Sequence, residues 1–124
     1  MNFKGIIIEE SLEDKSILKN NIIIILKTEV EKVTSEHHTP WIKRWTMHTV
    51  EVSENKAMET AEKISRCLDA KHNWYADYKN KEYHFIIFKK KIFCVKRENR
   101  AEYEDVKKYG LSLGIPEHQL DFYK

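Results

Sequence analysis

The sequence predicts an α+β domain, an antiparallel sheet with helices on one face. Three observations carry this expectation. Short β-branched and aromatic runs with period-two alternation recur along the chain, separated by polar turns. Few stretches repeat apolar residues at three- and four-residue steps. Three glycines and two prolines in 124 residues, with 41% apolar content, exclude collagen-like chains, flexible linkers and long disordered tails. One domain, residues 1–124, is expected at this length.

The elements follow in order. Phe3 to Ile8 is β-branched and bounded by acids, so it reads as a strand. Ser11 with Glu13 and Asp14 has the character of a helix start, and Leu12, Ile17 and Leu18 form a short apolar face. Ile22 to Thr34 is a second strand, and its isoleucine run predicts burial on both faces. Ser35 to Pro40 is a polar turn. Trp41 to Val52 is a third strand, with Trp45 and Met47 on one face and Thr46, His48, Val50 and Val52 on the other.

The clearest helix covers residues 54–69, capped by Ser53, with Ala57, Met58, Ala61, Ile64, Cys67 and Leu68 on its apolar stripe. Asn73 to Lys79 and Glu82 to Phe88 form a hairpin around Asn80-Lys81, and Lys91 to Lys96 is a sixth strand. Asn99 to Glu102 starts a second helix, with Val106 and Tyr109 on its face and Gly110 at its C-terminal end. Gln119 to Tyr123 reads as a last short strand. From residue 41 this order predicts a ferredoxin-like split β-α-β core, to which residues 3–34 add N-terminal strands.

Charge narrows the partners. The net charge of +2 gives no general pull toward nucleic acid or membrane. Residues 1–62 hold 8 basic and 11 acidic side chains, and residues 63–124 hold 14 and 9, so the second half is positive. Much of that excess lies in Lys79 to Arg100, which reads as a lysine-guarded edge strand. No apolar run approaches the ~20 residues of a membrane-spanning helix, so no membrane partner is expected. Met1 to Gly5 carries no export signal, and Cys67 and Cys94 share no metal or redox spacing. Free thiols and a cytoplasmic address are expected.

One pair of residues has geometry. A turn at Asn80-Lys81 sets residue 79 opposite 82 and Asp77 opposite His84. A carboxylate beside an imidazole is half of an acid–base device, with His84 as general acid or base and Asp77 orienting it. Its plain alternative is an exposed ion pair. The remaining candidates are ligand-binding residues: Arg44, Trp45 and His48 on the third strand, and His72, Trp74 and Tyr75 at the start of the fourth. The six histidines share no recurrent spacing, so no metal site is expected, and without a phosphate-cradling glycine loop no cofactor is expected.

The strings TPWIKRWTMHTVEV (39–52), HNWYADYKNKEYHFIIF (72–88) and YGLSLGIPEHQLDF (109–122) resemble a family of small prokaryotic proteins of unknown function. The resemblance implies a stand-alone domain and assigns no catalytic residue. The functional expectation is a domain that binds a small ligand, with an anion as the first candidate. Its rivals are an enzyme built on Asp77 and His84 and a single-stranded nucleic-acid binder that stacks bases on sheet aromatics. The apolar second strand also makes a homodimer plausible.

Overall fold

The computed structural model describes residues 1–122. Six strands form one antiparallel sheet: β1 (Phe3–Ile8), β2 (Ile23–Lys32), β3 (Arg44–Val52), β4 (Tyr75–Lys79), β5 (Tyr83–Phe88) and β6 (Lys91–Lys96), in the spatial order β2-β3-β1-β4-β5-β6. The helices are α1 (Ala57–Cys67) and α2 (Arg100–Ser112). Residues 9–11 and 15–19 are short 3-10 turns rather than an α-helix, the second capped by Asp14, whose carboxylate accepts from the Ser16 N–H.

β3 and β4 both run antiparallel to β1, so they are parallel to each other, with α1 crossing between them. β1 fills the position between them. The rest of the chain departs from the expected ferredoxin-like order. β5 and β6 are hairpin neighbours, and α2 is followed by a 3-10 turn at Glu117–Gln119, not by a strand, within the described residues. Tyr123, the end of the expected last strand, lies outside the described residues.

The two helices lie on opposite faces of the sheet, which corrects the one-face expectation. Side chains alternate along a strand. Tyr78, Phe85 and Ile87 pack with Ala61, Ile64 and Leu68 of the α1 region. Ile86, Phe88 and Val95 pack with Tyr103 and Val106 of α2 and with Ile115, Leu120 and Phe122 of the tail. β5 is apolar on both faces, so each face of this half of the sheet needs its own cover. Two buried hydroxyls tether α1: Tyr78 donates to the Ala57 carbonyl at 2.6 Å, and Ser65 to the Phe88 carbonyl at 2.6 Å.

β2 is an edge strand, and only Ile23 in it is buried, contrary to the expected two-sided burial. An apolar run specifies a strand, but burial depends on what packs beside it, and beyond Ile23 this strand stays exposed.

Gly110 does not end α2; Leu120 packs against it, inside the helix. The stop is Gly114, at φ +88°, where the Ile115 N–H bonds the Gly110 carbonyl and the Gly114 N–H bonds the Leu111 carbonyl. This turn sends the tail back across the sheet. Both cysteines are free, with Cys67 half-buried and Cys94 exposed. Among the described residues, no helix is long and apolar enough to cross a membrane.

Candidate functional site

The β4–β5 hairpin places the expected pair by a different register. Asn80 folds its side chain over the turn, its Oδ1 accepting from the N–H groups of Glu82 and Tyr83. The turn therefore centres on Lys81-Glu82, and Lys79 lies opposite His84 while Asp77 lies opposite Ile86. This is a two-residue slip from the expected pairing, so faces are preserved. Asp77 and His84 meet along the diagonal, with Oδ2 and Nε2 at 2.6 Å.

His84 is 1% exposed and holds a second partner, the Tyr103 hydroxyl, 2.9 Å from Nδ1. A carboxylate only accepts, so in the neutral imidazole Nε2–H donates to Asp77 and Nδ1 accepts from the Tyr103 O–H. A directed chain runs from Tyr103 through His84 to Asp77. Only its last member meets solvent, the Asp77 side chain being 29% exposed.

Asp77 opens onto a cavity of about 250 Å³. Its apolar surface comes from Ile6 and Ile8 of β1, Trp45 of β3, and Trp74 and Tyr75, with Ile115 and Gln119 of the tail closing one side. The cavity exists because the tail and α2 cover the sheet only over β4–β6, leaving a step where β1 and β3 emerge. Tyr75 is pinned there by its hydroxyl, which donates to the Gln119 carbonyl, and burial pushes its phenol well above the usual range.

A second cavity of about 250 Å³ adjoins the first and shares Trp45, Asn73, Trp74, Ile115 and Gln119 with it. It adds Trp41, Lys71, His72, His37 and His38. All three tryptophans thus line one cleft. Trp41 stacks on His72 with ring centres 3.7 Å apart and planes 8° apart. His72 is held by Asp69, at 2.7 Å from Nδ1. Burial pushes the Asp69 carboxyl up, but hydrogen bonds from the Lys71 N–H and His72 outweigh it and hold the group below its ordinary 3.8. Trp74 Nε1 is buried without a hydrogen bond of ordinary geometry, yet the indole lies near enough to Asp69 to contribute to that lowering.

Of the expected ligand residues, Trp45, His72, Trp74 and Tyr75 converge on this cleft. Arg44 and His48 do not. They belong to the other face of β3, where His48 is bonded at both nitrogens, to Thr28 at 2.8 Å and Glu9 at 3.0 Å. Arg44 is exposed and approaches Glu10, whose carboxylate caps the Thr46 N–H beyond the end of β1. Strand alternation turns His48 away from the cleft, and burial closes His84 off from it. No group of three or more His, Cys, Asp or Glu side chains able to hold a metal occurs among the described residues.

Several lining residues were not singled out in the sequence: Ile6, Ile8, Ile115 and Gln119. The signal that could have found the tail is Gly114 followed by Pro116, a pair suited to a chain reversal. Tyr103 stands three residues before Val106, a helical spacing that marks it as inward-facing. In comparisons with known proteins, no family model, no curated protein and no solved structure matches the chain.

Proposed function

We propose that this protein binds a small organic molecule in the tryptophan cleft, with Asp77 as the polar anchor. The observation that carries the reading is one accessible carboxylate in a cavity walled mainly by apolar and aromatic side chains, with the amides of Asn73 and Gln119 as its other polar side chains. Among the described residues, no lysine or arginine lines that cavity. A ligand with an apolar or aromatic body and a protonated amine fits such walls, the amine donating to Asp77 and lying against aromatic rings. This revises the anion favoured by the sequence. Lys71, in the adjoining cavity, is the position for a negative group on the same ligand. The split β3–α1–β4 unit supports reading this half of the sheet as ferredoxin-like, a fold that leaves function open.

Calorimetry with three compounds of one scaffold tests the reading: phenethylamine, phenylalanine and phenylpropionate. The amine and the amino acid bind and the plain acid does not. Asp77→Asn weakens the amine about ten-fold or more, equivalent to roughly 1.4 kcal/mol. Asn still accepts from His84, so folding is preserved.

The Tyr103–His84–Asp77 chain favours a second, enzymatic reading. In it Asp77 is the group that meets substrate, and His84, shielded from solvent, is a positioning residue. A reaction that depends on Asp77 and shifts its pH profile in Tyr103→Phe would support it. The nucleic-acid reading has lost its platform, since Phe88 is fully buried and α2 covers that part of the sheet.

A further inference from the structure

We propose that the edge of β2 pairs with β2 of a second copy of this chain, antiparallel, about a two-fold axis at Thr28. β2 stands at one end of the sheet, with β3 as its strand neighbour. It exposes Ile24 (56%), Leu26 (49%) and Val30 (64%), and an edge strand also leaves backbone donors and acceptors unpaired.

The two sheet edges differ in charge. β6 carries Lys91 and Lys96 and no acid, so a second copy of it brings cations together. β2 carries Lys27, Glu29, Glu31 and Lys32, both signs on one strand.

Symmetry limits how two such strands can meet. Identical antiparallel strands related by a two-fold axis must centre on a residue, because paired residues turn their N–H and C=O the same way. Centring on Lys27 or Glu29 sets like charges face to face. Centring on Val30 sets Glu29 against Glu31 of the other copy, twice. Centring on Ile25 or Leu26 puts the β-bulge between Ile25 and Lys27 in the middle of the ladder. Thr28 remains. There Lys27 faces Glu29 of the second copy, twice, and Leu26 faces Val30, twice. Lys27 and Glu29 already form an ion pair within the strand at 2.8 Å, so four charges of alternating sign meet at the axis. The bulge keeps this ladder short, and the dimer is reversible and concentration-dependent rather than obligate.

Sedimentation equilibrium of the full chain tests the pairing. The wild type reaches about twice its 14.9 kDa mass as concentration rises. Lys27→Glu and Glu29→Lys each bring like charges together twice, and each weakens association by about ten-fold. The double variant K27E/E29K reverses both signs and restores it. Val30→Lys, which removes an apolar partner of Leu26, also weakens association. Far-UV circular dichroism of each variant verifies the fold. A monomer at every concentration overturns the proposal, as does a dimer indifferent to the single changes or a double variant no better than either single one.

Discussion

Asp77 and His84 are hydrogen-bonded at 2.6 Å although neither is the other's cross-strand partner. The bond follows the diagonal of the β4–β5 ladder, and Tyr103 of α2 completes the chain from the other side of the ring. The arrangement buries the imidazole and leaves the carboxylate at the cleft. It also ties α2 to the sheet through a polar contact in an apolar layer.

That contact is energetically exposed. Tyr103→Phe leaves buried Nδ1 of His84 without its donor and lowers stability by about 1–3 kcal/mol. His84→Ala also opens a cavity and strips both partners, so it costs more, about 3 kcal/mol or above. Urea unfolding measures both. Equal stability of Tyr103→Phe and wild type would show that the hydroxyl does not hold the ring.

Gly5 sets the distance between β1 and β4. A Cβ there would sit 1.9 Å from the Asp77 carbonyl oxygen and 2.5 Å from Tyr78 Cα, both backbone atoms that cannot yield cheaply. Gly5→Ala therefore destabilises by about 3 kcal/mol or more and displaces Asp77. Gly110→Ala is the control. Its Cβ meets the far end of the Leu120 side chain at 2.6 Å, which can rotate, and alanine favours the helix. Its change stays within about 1 kcal/mol by urea unfolding.

Asp69 carries a pH signature. Its carboxyl lies below the ordinary 3.8 in the folded chain, because the Lys71 N–H and His72 outweigh the upward push of burial. A lowered carboxylate stabilises the fold above its unfolded value and loses that contribution as pH falls through the folded value. Wild type is therefore more stable than Asp69→Asn at about pH 5, and the gap closes below pH 3.8. A gap that widens on acidification contradicts the hydrogen-bonded Asp69.

Local signals were legible where a residue's own neighbours decide its structure. The alternation of β3, the stripe of α1 apart from the exposed Met58, and the Asn99 cap of α2 read directly, the last as Asn99 Oδ1 accepting from the Glu102 N–H. The hairpin register slipped because the Asn80 side chain, not sequence spacing, chooses the turn. The placement of β2 at the edge and of α2 on the second face depends on long-range packing that a run of isoleucines or one apolar stripe does not encode. The cleft was half legible for the same reason. Trp45, Trp74 and Tyr75 announced an aromatic surface, but the tail that walls it is brought there by the turn at Gly114, far along the chain from β3.

A ligand amine held on Asp77 would bring its apolar body against the tryptophan rings of the cleft. A ¹H–¹⁵N spectrum of the tryptophan indoles, titrated with phenethylamine, tests it most directly. Binding at Asp77 gives saturable shifts of the Trp45 and Trp74 signals, lost in Asp77→Asn and absent with phenylpropionate. Signals unmoved at millimolar amine, or moved equally by the acid, would contradict it.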